Sequence, residues 1–159
     1  MRHLRILLAA TAIAGTSIAA VPAFAEGSLN PQTVKNLETA MHGEAFAHLK
    51  YMAYAEHART SGHPALAKLF DENANVEAYE HFAREADALT LAKADDANLL
   101  EAMAGEAYEK TRMYPGFAKQ ADAVGDKKVA AMFRQIAADE ADHYASYKAA
   151  LDTLRAAKK

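Results

Sequence analysis

Glu140-Ala-Asp-His143 sets a carboxylate and an imidazole one helical turn apart, on a single helix face. Such a pair can grip one cation, by oxygen and by nitrogen. The spacing alone is common, and its surroundings make it informative. Phe133, Ile136 and Ala137 share the face of Glu140, so this acid points toward a core, where a carboxylate without a partner is costly. Glu77 and Glu80 follow Phe70 in the same phase, Glu106 and Glu109 are again three residues apart, and Glu44 stands alone because Ala47 occupies the place of a second acid. Six carboxylates and one imidazole thus point at a common centre. Solvated helix faces are the ordinary alternative, and they would carry lysines four residues beyond the acids. The residues at those places after Glu77, Glu106 and Glu140 are His81, Lys110 and Tyr144. Oxygen-rich donors with a nitrogen, drawn from several helices, suit a pair of irons, or manganese, rather than structural zinc.

The acids fall at corresponding places of an internal repeat. Ala40-Met-His-Gly-Glu-Ala-Phe46 returns 62 residues later as Ala102-Met-Ala-Gly-Glu-Ala-Tyr108, and Phe70 with Glu77 is echoed by Phe133 with Glu140. Glycine precedes the acid in both halves. Mid-helix glycine costs about 0.5–1 kcal/mol relative to alanine, so the repeat predicts a close approach of the first and third helices at Gly43 and Gly105.

Four helices must position these groups. Alanine, glutamate, leucine and lysine are abundant, and strand-type alternation is missing. Asn30 with Pro31 starts the first helix, which runs to about Ser61; Gly62 and Pro64 separate it from a second, to about Leu89. Asp95 or Asp96 caps a third, to about residue 124, with a kink expected at Pro115. Gly125 and Asp126 lead into a fourth that ends near Ala156. Helices of this length span about 40 Å and make a four-helix bundle.

Residues 1–25 read as a secretory signal: Arg2 and Arg5, an uncharged stretch from Ile6 to Val21, then Ala23-Phe-Ala25 for cleavage. Residues 26–159 form the expected bundle domain, exported and, in a bacterium, periplasmic. Removing two arginines and no acid moves the formal charge from −3 to −5. That balance gives no electrostatic case for nucleic acid or an anionic membrane, and no segment after the signal is apolar enough to span a bilayer. Cysteine is absent, which excludes disulfides, iron–sulfur clusters and four-thiolate iron.

Gly43-Glu44, Gly105-Glu106-x-x-Glu109, Met113-Tyr114-Pro115 and Phe133-Arg134-x-Ile136-Ala137-x-x-Glu140-x-x-His143 resemble the rubrerythrin diiron domain of the ferritin-like superfamily, over nearly all of the region after the signal. The resemblance implies iron ligation by Glu44, Glu77, Glu106, Glu109, Glu140 and His143, with Tyr51 and Tyr114 hydrogen-bonded to ligand carboxylates. It also implies a histidine three residues after Glu77, one that exchanges with the acid at the Glu109 position as iron changes oxidation state. Glu80 stands at that place. Either Glu80 replaces the histidine, the assignment taken here, or His81 binds from the next position. His48 could support Glu44 from one turn away; His42, His57 and His63 read as surface residues.

The resemblance further implies a diiron oxidoreductase that reduces hydrogen peroxide. Without the cysteines of a rubredoxin domain, its electrons come from a separate donor protein. Ferrous oxidation by dioxygen, iron buffering, and a bundle that binds metal only for stability are the alternatives. In ferritin-like bundles the second and third helices run parallel, a crossing of about 30 Å that residues 90–95 cannot reach at about 20 Å extended. Helix two then ends early, near Glu85, or the halves pair across two chains in a swapped homodimer. The swapped dimer is the expectation.

Overall fold

The computed structural model describes residues 29–157; the expected signal segment lies outside them. Every regular element among these residues is helical: α1 (Pro31–Thr60), α2 (Pro64–Val76), a π-helical turn π1 (Glu77–Phe82), α3 (Ala83–Ala88), α4 (Asp95–Tyr108), a second π turn π2 (Glu109–Met113), α5 (Tyr114–Ala123) and α6 (Lys127–Ala156). α2, π1 and α3 form one continuous helix, as do α4, π2 and α5, so four long helices result. They make two related helix pairs, the halves of a ferritin-like all-α bundle. No described helix is long and apolar enough to cross a membrane.

Local chemistry sets the boundaries. The Asn30 side chain accepts the Gln32 N–H at 2.9 Å, with Pro31 at the first helical position. Gly62 and Gly125 adopt φ of +79° and +88°, a conformation that side chains resist. The third helix begins differently from the sequence expectation. Ala94 occupies the capping position without a side-chain bond, and Asp95 and Asp96 lie in the first turn; Asn98 pins the residue before the cap, its Oδ1 accepting from Lys93 N–H and its amide donating to the Lys93 carbonyl, both at 2.8 Å. Where a kink is expected at Pro115, a π turn ends two residues before it, at Met113.

The two pairs repeat each other in detail. Tyr51, Tyr54 and Phe70 cluster with ring centroids 5.3–6.3 Å apart. Tyr114, Phe117 and Phe133, each 63 residues later, cluster at 5.6–6.2 Å. An ion pair ties the helices of each half beyond these rings, Arg59 to Asp71 at 2.7 Å and Arg134 to Asp122 at 2.8 Å. These are the same two positions with the charges exchanged.

Within a pair the helices touch through small residues. The buried apolar residues among those described are Met41, Leu151 and seven alanines, and no large side chain is fully buried. Among the described residues no helix of the first pair packs against a helix of the second. The pairs meet only at the connection, where Ala86, Thr90, Leu91, Asn98 and Ala102 line a cleft. The close approach expected at Gly43 and Gly105 is therefore not made within this chain: a Cβ at either would meet nothing within 4 Å.

Candidate metal centre

Each helix pair holds one group of donors. Glu44 of α1 meets Glu77 and His81 of π1, and Glu106 of α4 meets Glu140 and His143 of α6; within each group the donor atoms all lie within 4.8 Å of one another. The geometry repeats closely. His81 Nδ1 is 2.8 Å from Glu77 and 3.9 Å from Glu44. His143 Nδ1 is 2.7 Å from Glu140 and 3.9 Å from Glu106.

Sequence spacing alone does not make these groups equivalent, because the imidazole follows its acid by four residues in one half and by three in the other. The π turn resolves this. Its i→i+5 hydrogen bonding holds one more residue per turn than an α-helix, so a side chain four places on lands near where an α-helix puts the third. Glu80, assigned as a ligand on sequence spacing, is turned away: its carboxylate lies 3.4 Å from Arg84 and is 56% exposed. The structure brings His81, not Glu80, to Glu44 and Glu77. A signal for this existed in the repeat. Glu77 and Glu140 are 63 residues apart, His81 and His143 are 62 apart, so one extra residue sits between the acid and the imidazole of the first half.

The second π turn is the matching insertion in the other half. Glu44 and Glu106 are 62 apart but Tyr51 and Tyr114 are 63 apart, and π2 lies between Glu106 and Tyr114. Glu109 opens that turn and stands outside the close group, although its charge reaches both Glu106 and Tyr114. In π2 the Thr111 hydroxyl donates to the Ala107 carbonyl at 2.5 Å. Beside π1, His48 Nδ1 donates to the Ala74 carbonyl at 2.8 Å, which ties α1 to the helix carrying Glu77.

Burial, then a hydrogen bond shared with Glu77 and that acid's charge, raise the Glu44 carboxyl above its ordinary range. Burial and Glu140 do the same to Glu106. The bond to Glu140 raises His143. Burial first, then the charges of Glu109, Glu140 and Glu106, raise the Tyr114 phenol, which locates it beside the second group. Tyr51 stays with the aromatic cluster, and no hydrogen bond from either tyrosine to a carboxylate exists among the described residues. One buried oxygen of Glu106 and one of Glu85 have no hydrogen-bond partner. Glu85 also bears on Glu44, and nothing in its sequence context separated it from a surface acid. His42, His57 and His63 are exposed and lie outside both groups.

Paired carboxylates with a raised proton affinity, an orphaned buried oxygen and an imidazole form a donor set that fits a divalent cation in each half. A cation would replace the shared protons and satisfy the lone pairs. Two such groups fit a pair of iron ions.

Known proteins resemble this chain over most of its length. Residues 35–151 match the family model described as Rubrerythrin. The nigerythrin of Nitratidesulfovibrio vulgaris is 33% identical over 137 residues, covering 78% of this chain and 68% of the relative. The rubrerythrin of Porphyromonas gingivalis is 38% identical over 133 residues, covering 76% and 66%. The chain thus spans about two thirds of the length of these relatives. A solved structure of nigerythrin in a mixed-valence state is 31% identical, covers 82% of this chain and 70% of its own, and overlays with a TM-score of 0.41.

Proposed function

This chain belongs to the rubrerythrin family, and from that premise we propose that it is a non-haem diiron oxidoreductase that reduces hydrogen peroxide with electrons from a separate donor protein. The family's diiron, peroxidase-type chemistry fits the paired donor groups. The observation that carries the reading is their equivalence: two Glu–Glu–His sets of one geometry, on the two halves of a duplicated scaffold. We assign Glu44, Glu77 and His81 to one iron and Glu106, Glu140 and His143 to the other, with Glu109 available between oxidation states. Glu80 serves as a surface partner of Arg84.

Peroxide reduction consumes two electrons and two protons and releases two waters; a ferrous pair held by these residues would supply both electrons. The protein's share is charge and placement. Glu44 and Glu106, whose proton affinity is raised, would give up protons on admitting cations, and the five acids and two imidazoles would balance the metal charge. Tyr114 keeps its proton across the physiological range, because its raised pKa disfavours the phenolate. It is therefore a neutral donor beside the second group, able to hydrogen-bond a peroxide oxygen. His48 fixes the Glu77 helix against α1 and keeps the first group in register.

The absence of cysteine supports the separate donor, and the basic, apolar, small-residue start supports action after export, in the periplasm of a bacterium. Mixing the anaerobic ferrous protein with peroxide or with dioxygen in a stopped-flow spectrometer tests the reaction. Oxidation by peroxide should be faster by an order of magnitude or more. Preference for dioxygen would make the protein a ferrous oxidase instead.

A further inference from the structure

We propose that His48 is a positioning residue that holds the π1 turn and thereby decides that His81, not Glu80, faces the first donor group. The inference rests on the assignment of Glu44, Glu77 and His81 to one iron, and it names the residue outside that group on which the assignment depends.

A π turn is a rare, single-turn departure from α winding, so π1 needs a tie. π2 carries its own, because the Thr111 hydroxyl donates to the Ala107 carbonyl one turn back, at 2.5 Å. π1 has none of this kind. Among the described residues its side chains bond to other side chains, Glu77 to His81 and Glu80 to Arg84. The tie for π1 comes from outside its own helix.

His48 brackets the turn. On one side its Nδ1–H donates at 2.8 Å to the carbonyl of Ala74, three residues ahead of Glu77, where π1 opens. Ala74 is 1% exposed, so this end is fixed against α1. The helix ladder is already loosened there, since the Glu77 N–H is shared between the Asn73 and Ala74 carbonyls. On the other side the imidazole meets the Tyr79 ring edge to face, with centroids 6.5 Å apart and planes at 70°, and Tyr79 lies inside π1. Tyr79 is 74% exposed, so burial does not place it. At α spacing five residues turn a helix by about 500°, which puts Tyr79 about 140° around from Ala74 and away from α1. The slower winding of π1 brings it back toward His48. One imidazole thus touches the chain before the turn and within it, and the winding between those two points is what the extra residue changes.

The duplicated scaffold supplies the control. α6 runs without interruption from Lys127 to Ala156. Ala137 stands there in the place of Ala74, and Lys110 follows Glu106 by four residues as His48 follows Glu44. The Lys110 ammonium lies 3.6 Å from the centroid of the Tyr144 ring, directed at that ring rather than at Ala137. The helix with a bracketing imidazole has a π turn after its acid. The helix without one keeps α winding, and its donor falls three residues on, at His143.

Without His48, α winding in the first half would bring the third residue after Glu77 toward Glu44. That residue is Glu80, and His81 would move about 100° around the helix. The bridge from Glu80 to Arg84, 3.4 Å long and more than half exposed, opposes the change only weakly. The first group would then hold metal through three carboxylates, in place of two carboxylates and an imidazole.

Cobalt(II) is the probe, bound to the full chain carrying ring-labelled histidine. Wild-type protein should bind two cobalt ions and show two strongly hyperfine-shifted imidazoles by NMR, His81 and His143. His48→Leu should still bind two ions but show one such imidazole. Glu80→Gln should be silent alone and, combined with His48→Leu, should weaken one cobalt by at least about tenfold. His48→Asn, whose amide nitrogen can stand where Nδ1 does, should keep both imidazoles. Deleting Glu80 removes the need for π1, so His48→Leu in that background should keep both as well. The proposal is overturned if His48→Leu keeps both imidazoles and gains no dependence on Glu80. It is equally overturned if His48→Leu loses the imidazole, or fails to fold, in the deletion background too, since His48 is then a packing residue. Fewer than two shifted imidazoles in the wild type would sink the ligand assignment itself, and none of these readouts depends on the peroxide reaction.

Discussion

His81 and Glu80 compete for one role, and substituting each alone separates them. His81→Ala removes one of the three donors of the first group. Its side chain is 47% exposed, so the metal-free fold should change by no more than about 0.5 kcal/mol. Partners that merely orient a ligand are worth about 10–100-fold in metal affinity. A direct ligand is worth at least that, so the first iron should weaken by at least about 1.4–2.7 kcal/mol. Glu80→Gln breaks only the bridge to Arg84, whose two side chains are more than half exposed. That costs about 0.3–0.5 kcal/mol of stability and leaves iron affinity unchanged. A deletion of Glu80 sharpens the comparison. It removes the extra residue, puts the histidine three places after Glu77, and makes this helix match α6; iron binding should persist within a few-fold. Competition for ferrous iron with a chromogenic chelator reads all three variants. Loss of iron in Glu80→Gln with retention in His81→Ala would refute the role given to the π turn.

Other consequences follow from the same geometry. Glu44, Glu106 and His143 all have raised proton affinity in the metal-free protein, and a raised group stabilises the fold below its ordinary pKa and loses that contribution as pH rises through its folded value. Calorimetry should find the metal-free protein melting lower as pH climbs from about 4.5 toward 8, while the iron-loaded protein, which has released those protons, gains over it with pH. Asp122 has the opposite sign, lowered by Arg134, so its contribution is lost only as pH falls below that window. Exchanging the charges of Arg59 and Asp71 should restore the melting temperature lost in either single reversal, because Asp122 and Arg134 already hold that arrangement. Leu151→Ala, at a side chain 3% exposed, should cost about 2–5 kcal/mol in urea unfolding. Gly43→Ala, whose added Cβ meets nothing within this chain, should stabilise the metal-free protein by about 0.5–1 kcal/mol in urea unfolding.

The helices were legible because their signals are local. Asn30-Pro31, Gly62-His-Pro64 and Gly125-Asp126 each specify a boundary through backbone chemistry, and all three stand within a residue of where they were read. Asp95 misled because the helix starts one residue earlier than a capping Asp95 requires, with Ala94 at the cap position and Lys93 before it pinned by Asn98. The acids at Glu44, Glu77, Glu106 and Glu140 were readable from their phase with Phe70 and Phe133. Winding was not, since a uniform period of 3.6 was assumed across π1 and π2, and one extra residue moves every later side chain by about 100°. The change of repeat offset, from 62 at Glu106 to 63 at Tyr114 and from 63 at Glu140 back to 62 at His143, recorded both insertions. What covers the apolar face of Phe46, Leu49 and Met52 is written nowhere in the periodicity, because a stripe records an apolar face and not the surface that meets it.

Low-temperature Mössbauer spectroscopy of the protein loaded with ⁵⁷Fe and oxidised with peroxide tests most directly whether the two Glu–Glu–His groups hold one iron pair. Facing halves put the irons within magnetic contact, so the ferric protein should give a quadrupole doublet without magnetic splitting, the mark of two spin-coupled ions. A magnetically split spectrum of isolated high-spin ferric ions would contradict the account and leave two separate metal sites in its place.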